Sequence, residues 1–500
     1  MQLRDDQSGA LDALRTAVGG GKRRICMQAP TGFGKTVLAS ALVQSALARG
    51  KRVLYTVPII GLVDQTIEMF ASQHIFDIGV IQAMHHMTDE RQPVQIASVQ
   101  TLMKREKLPL ADVVLIDECH KWFRFYERWL SGDASPEWAN VPFIGLSATP
   151  WTRGLKGWYD HFHKASTIRE MIDAGNLSPF KVFAPTHPDL SDVKTFAGDF
   201  HEGELSAKMR EGSLVADAVD TWLKLGENRP TLCYGVDRAH ARALQYKFQA
   251  AGVACGYQDS YTKDHERAAL KREFHNGTLK VVCNVGTLTT GVDWDVRCIS
   301  LCRPTKSDML FTQIVGRGLR TADGKDHCLI LDHSDNHLRL GFVTDIDESY
   351  VGLHDGKTPA NENRTEGIRL PKECPQCAYL KPPRMATCPA CGFKAEVISK
   401  ITAEAGELRE LKTKPKEKQI KLDMLDKARF FAELKAYALV RGYKPGWAAN
   451  QYRDRLKVWP DHKLSGIAPA AHISSDTMGW IKSRQIAWAK SRAARQPVMA

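Results

Sequence analysis

Short apolar runs alternate with longer amphipathic stretches through the first 150 residues. Runs at 24–27, 53–56, 95–97, 113–116 and 143–146 predict strands, and the stretches 37–48 and 62–70 between them predict helices. That alternation argues for a parallel sheet covered by helices. From 156 to 210 the pattern breaks at Gly157, Gly175, Pro179, Pro185 and Pro188, which reads as a connector with short helices. A second alternating block follows, with strands at 231–234, 280–283, 299–302 and 328–331 and a helix at 266–275 closed by Gly277. The expected fold class is therefore α/β with two parallel-sheet lobes, at 1–155 and 211–350. A linker at 351–372, two cysteine pairs at 373–394 and a helical module at 411–500 complete the chain. The module has apolar positions at Leu425, Phe430, Phe431, Leu434, Tyr437 and Ala438, after the charged linker 412–418.

Charge adds a second division. The net +12 lies wholly in residues 411–500, which hold 19 Lys/Arg against 7 Asp/Glu, so the first 410 residues sum to zero. A basic appendage on a neutral body suggests polyanion binding; solvated basic faces on a small helical domain are the plainer reading. Arg441, Lys444, Trp447, Arg453 and Arg455 interleave cations with aromatics, as a grip on single-stranded nucleic acid would. Trp447, Tyr452 and Trp459 serve equally well as the core of a small domain. No run of 18 apolar residues and no secretory leader is visible, and eight of the twelve cysteines are scattered singly. Both features point to a reducing cytoplasm.

Three clusters carry chemistry. Ala29-Pro-Thr-Gly-Phe-Gly-Lys-Thr36 follows a strand and opens a helix, the context a phosphate loop needs. Thr31, Gly32, Phe33 and Gly34 would curl backbone N–H groups toward phosphate oxygens. Lys35 would reach the β- and γ-phosphates, and Thr36 would ligate Mg²⁺. The apolar run 113–116 ends in Asp117-Glu118, two carboxylates at a strand tip. One suits a Mg²⁺ shell and the other an attacking water, with Asp117 assigned to the metal and Glu118 to the water. Cys374, Cys377, Cys388 and Cys391 form two C-x₂-C knuckles ten residues apart, a spacing that lets four thiolates close a tetrahedral Zn²⁺ site. Whether such a ribbon holds nucleic acid or braces the second lobe stays open. Trp122, Phe125, Tyr126 and Trp129 recur at helical spacing and read as a core stripe, with base stacking as the alternative.

Further segments fall in a fixed order around these: Gln7, Ala97-Ser-Val-Gln-Thr-Leu102, Asp117-Glu-Cys-His120, Ser147-Ala-Thr149, Gly291-Val-Asp293 and Gln313-Ile-Val-Gly-Arg-Gly-Leu-Arg320. Together they resemble superfamily 2 helicases, nearest the RadD-like group and phage-encoded DEAD/DEAH-box helicases. The resemblance covers about residues 1–392 and implies two RecA-like lobes, ATP and Mg²⁺. It implies that Gln7 reads adenine and that His120 links the γ-phosphate state to Ser147 and Thr149. Gln313, Arg317 and Arg320 would face the nucleotide from the second lobe on closure. Gly291 and Asp293 would touch the ATP cleft, while Pro58, Gln65, Gln100, Thr101, Thr287 and Thr289 would touch the strand. The implied activity is ATP-dependent translocation on, or unwinding of, single-stranded, forked or branched DNA in a bacterial or phage-infected cell. Single-strand-binding or other replication and recombination proteins are the expected protein partners. An RNA helicase and an ATP-gated DNA clamp that separates no strands are the competing expectations.

Overall fold

The computed structural model describes residues 3–82, 84–121, 123–131, 136–196, 198–289, 294–355, 370–394, 423–444 and 446–493. Two compact units divide the chain, Met1–Val397 and Ile398–Ala500. Among the described residues no helix is long and apolar enough to cross a membrane.

The first unit holds two parallel sheets. Strands β1 (Arg24–Gln28), β2 (Val53–Val57), β3 (Ile78–Ile81), β4 (Val94–Ser98), β5 (Val113–Asp117), β6 (Phe143–Ser147) and β7 (His161–Lys164) form a seven-stranded sheet in the order β3-β4-β2-β5-β6-β1-β7. Helices fill the crossovers, so the inner strands bury both faces and read as continuous apolar runs. The second sheet begins with β8 (Phe180–Phe183). After a small hairpin of β9 (Thr195–Phe196) and β10 (Asp199–Phe200) come β11 (Thr231–Tyr234), β12 (Cys255–Gln258), β13 (Val281–Asn284), β14 (Cys298–Leu301) and β15 (Cys328–Asp332), in the order β12-β13-β11-β14-β15-β8. The stretch 156–210 thus supplies the outermost strand of each sheet, β7 and β8, besides the hairpin. β7 reads His-Phe-His-Lys and is only half buried, so it shows no apolar run. β16 (Lys372–Glu373) and β17 (Leu380–Lys381) pair as a hairpin under the first cysteine knuckle.

The aromatic stripe settles on packing. Tyr126 and Trp129 are buried in the first lobe, and Trp129 meets Trp138 and Phe143 edge-on. Trp122 lies outside the described residues, as do the linker 412–418 and most of 351–372.

The second unit is helical: Met424–Val440, Trp447–Leu456 and Ser475–Ala493. Phe430, Phe431, Leu434, Tyr437, Tyr452 and Ile481 make its core. Leu425, expected in that core, is exposed because it lies in the first helical turn, before the packed face begins. Glu433 is buried and held by Arg429 at 3.2 Å, Ser474 at 2.7 Å and Thr477. Burial raises its pKa, but those three donors outweigh the burial and keep it below the usual range.

Candidate nucleotide and metal sites

The loop after β1 is shaped by two glycines. Gly32 and Gly34 stand at φ +85° and +88°, which favours residues without a Cβ. Space excludes a side chain as well. A Cβ at Gly32 would lie 2.6 Å from Leu177 Cδ2, and one at Gly34 2.6 Å from Gln7 Nε2. Gly34 immediately precedes the helix Lys35–Leu47, whose unbonded first-turn N–H groups make a natural anion site. Thr31, Gly32, Gly34, Lys35 and Thr36 line a cavity of about 420 Å³, and Asp117, Glu118, Arg317 and Arg320 close it.

Glu118 sits at φ +48°, an uncommon conformation for a non-glycine residue, at the tip of β5. Its carboxylate lies 3.6 Å from Lys35 Nζ and 3.2 Å from His120 Nδ1. Burial pushes Glu118 up, but Lys35, His120 and Arg317 outweigh burial and hold its carboxyl well below the usual range. Burial, with the Glu118 charge beside it, pushes Asp117 up to about 7 against the pull of Lys35. Two adjacent buried carboxylates, with the Thr36 hydroxyl on the same cavity, make an all-oxygen donor set that fits a divalent ion.

His120 joins the two lobes. Its Nδ1 lies 2.8 Å from Ser147 Oγ, and its Nε2 lies 3.1 Å from Gln313 Nε2. Gln313 also donates to Thr149 Oγ1 at 3.0 Å. Gln313 and Arg317 sit on the helix Asp308–Gly318, buried against the first lobe's motifs. Arg317 Nε donates to the Thr289 carbonyl at 2.9 Å, which ties the arginine to the loop after β13. Gly316 is needed there, since a Cβ would fall 2.9 Å from Thr31.

Other expected residues land elsewhere. Gln7 is buried, donating to the Phe33 carbonyl at 2.8 Å and accepting from Arg4 N at 3.2 Å. It buttresses the loop from behind, and neither Gln7 nor Phe33 lines the cavity. Gln65, expected on the strand-contacting surface, lines the cavity with Leu62, Thr66 and Met69. Gln100 Nε2 donates to the Pro58 carbonyl at 2.6 Å, and Thr101 Oγ1 lies 2.8 Å from Ser98 Oγ. Thr289 is buried and donates to the Gly286 carbonyl at 2.7 Å; Thr287 is half-buried in the loop after β13, within 3.4 Å of Gln258 Nε2. Gly291 and Asp293 lie outside the described residues. Sequence patterning gave no sign of Asn176 and Thr321 in the cavity wall.

The four knuckle cysteines converge, with their sulfurs within 4.8 Å of one another. Cys374–Cys391 and Cys377–Cys388 are each 3.7 Å apart. A tetrahedron with Zn–S bonds of about 2.3 Å has edges of about 3.8 Å, whereas a disulfide needs about 2.05 Å. The geometry fits zinc. The ribbon joins the second lobe: Ala184 N donates to the Ala378 carbonyl at 2.9 Å, Tyr379 meets Phe183 edge-on at 5.4 Å, and His187 bridges Asp335 at 2.7 Å and Glu373 at 2.9 Å.

On the helical unit, Arg441 and Lys444 are exposed, and Trp447 packs on Tyr437 and Tyr443. Arg455 is committed to Asp476 at 2.7 Å, while Arg453 lies over the ring of exposed Trp459 at 4.3 Å.

Residues 1–152 match the family model described as "Type III restriction enzyme, res subunit". A Saccharomyces cerevisiae protein provisionally named ATP-dependent helicase IRC3 is 33% identical over 351 residues, 66% of this chain and 51% of that protein. A "51.5 kDa protein" of a Lactococcus phage is 27% identical over 82% of this chain and 86% of its own length. A Schizosaccharomyces pombe protein, provisionally a mitochondrial ATP-dependent helicase, is 30% identical over 71% of this chain and 60% of its own length. The chain spans about half the length of the budding-yeast relative.

Proposed function

Since the chain is a member of the superfamily 2 helicase family, we propose that it is a DNA-stimulated ATPase that moves along, or separates, the strands of forked or branched DNA. The observation that carries this reading is Lys35, Glu118 and Arg317 around one cavity, with His120 and Gln313 bonded to each other behind Glu118. Residues from both lobes meet there, so a nucleotide bound in it would feel, and hold, the lobe arrangement.

In this reading Lys35 and the loop N–H groups hold the phosphates. Glu118, kept ionised by Lys35, His120 and Arg317, orients and deprotonates the attacking water. Arg317 and Arg320 stabilise charge as it builds on the transferred phosphoryl. Thr36 and Asp117 would hold Mg²⁺, which supplies charge neutralisation at the phosphates. His120 and Gln313 pass the state of the cavity to Ser147 and Thr149. The restriction-type match over residues 1–152 supports DNA as the track over RNA. ATP hydrolysis measured against single-stranded DNA, duplex, fork and matched RNA tests the reading. DNA-specific stimulation is expected; equal or better stimulation by RNA would overturn the DNA assignment.

The basic C-terminal unit is the proposed auxiliary grip. An exposed Trp459 with Arg453 on its face suits base stacking beside a phosphate contact. Removing residues 411–500 should flatten the dependence of log affinity on log salt. Loss of about four phosphate contacts to single-stranded DNA corresponds to a slope change of roughly 3. An unchanged slope in a salt titration would take the unit out of the DNA interface.

A further inference from the structure

One short segment of the second lobe reaches the roots of both halves of the cavity. The helix Val343–Ser349 follows β15 and packs beside the arginine-bearing helix Asp308–Gly318, yet its Asp347 side chain is turned into the first lobe. Asp347 is buried, at 1% exposure. Gln28 Nε2 donates to its Oδ1 at 2.7 Å, and the Ile168 backbone N–H donates to its Oδ2 at 3.0 Å. Lys164 Nζ lies 3.6 Å from Oδ1 and donates to the backbone carbonyls of Asp347 and Tyr350. Gln28 and Lys164 are paired across β1 and β7, and Gln28 is the last residue before the phosphate loop.

Tyr350 completes the link. Its ring lies flat on Trp151, with centroids 4.2 Å apart and planes 9° from parallel. Trp151 stands two residues beyond Thr149, which accepts the Gln313 hydrogen bond. The Tyr350 hydroxyl donates to Asp308 Oδ2 at 2.9 Å, and Asp308 opens the arginine-bearing helix. Arg169 braces the same segment through Asp345 and Glu348, each at 2.6 Å.

These bonds are directional, and the two from Gln28 and Ile168 to the Asp347 carboxylate are buried, so they resist sliding far better than an apolar contact would. They fix the spacing between the base of the phosphate loop and the base of the arginine-bearing helix. Two lobes that open and close need one contact that persists while the rest of the interface changes. We propose that Asp347, Tyr350 and Trp151 form this fulcrum, and that they are positioning residues which set where Arg317 arrives on closure. The inference rests on the ATPase reading above.

Tyr350→Phe probes it, because the stack on Trp151 stays and the hydroxyl's bond to Asp308 is lost. DNA-stimulated kcat should fall about five- to tenfold, the worth of one buried hydrogen bond. KM for ATP should stay within about twofold, since the phosphate loop keeps its own contacts. Asp308→Ala, which removes the acceptor, should reproduce the loss, and the double variant should be no worse than the more impaired single, as expected for one shared interaction. An active wild type with an unchanged Tyr350→Phe kcat would overturn the fulcrum alone. So would kcat, KM and melting temperature moving together, which would mean packing only. A wild type without DNA-stimulated hydrolysis would overturn the ATPase reading and the fulcrum with it.

Discussion

Glu118→Gln is expected to cut DNA-stimulated ATP turnover by roughly 10²- to 10⁴-fold, the usual contribution of a positioned general base, while nucleotide still binds. The amide keeps the size and hydrogen-bonding reach of the carboxylate, so the unusual φ +48° turn and the path of β5 have no reason to change. What changes is charge. Lys35 loses its 3.6 Å partner and is left to the phosphates alone, which favours retention of ATP. His120 loses an anion at 3.2 Å but keeps Ser147 and Gln313, so the inter-lobe link survives. The variant should therefore dwell in the closed, ATP-bound arrangement and hold DNA more tightly. Phosphate release and titration with a fluorescent ATP analogue read the two halves of this expectation. Turnover within about threefold of wild type would remove Glu118 from the role of base.

The parts of this site that were legible in the sequence are those set by local geometry. Gly32, Gly34, Lys35 and Thr36 act within one turn between a strand and a helix, so their spacing carries the meaning. Asp117 and Glu118 were legible because the strand before them is buried on both faces and must end where the polar pair begins. Contacts made by long-range packing left no such mark. Gln28 and Asp347 are 319 residues apart in sequence and 2.7 Å apart in space. Gln65 lies on the helix Leu62–Ser72, and only that helix's rotation against the sheet decides that it faces the cavity. Gln7 offers donors and acceptors, as an adenine reader would, and one of each is engaged by the backbone of Phe33 and Arg4, a contact that spacing could not foretell. Strands were legible in the sheet centres and not at the rims. β7 and β8 are half-buried edge strands, with the polar residues that edges tolerate.

The same edge makes the cysteine ribbon consequential. β8 is the last strand of the second sheet, and the ribbon lies along its open side, with Phe183 bridged to Tyr379 and Ala184 bonded to Ala378. Ala378 stands at φ +56° directly after Cys377, as Gly392 stands at φ +74° after Cys391. Two tight knuckles of this kind, with little apolar core of their own, hold their shape only if the four sulfurs are tied together. Zinc bound by Cys374, Cys377, Cys388 and Cys391 would then brace the lobe as well as the ribbon. Cys388→Ser should abolish stoichiometric zinc and cost the first unit at least about 3 kcal/mol, which corresponds, for a unit of this size, to a melting point lower by roughly 4 °C. The uncovered edge of β8 should also promote self-association. Metal analysis of the purified protein and thermal melting with and without a chelator measure both effects. One zinc per chain in the wild type and a large fall in the variant are expected. A ribbon that served only to touch DNA would give another pattern, with weakened DNA binding at an unchanged melting temperature. A folded, fully stable wild type containing no zinc would reject the metal site outright.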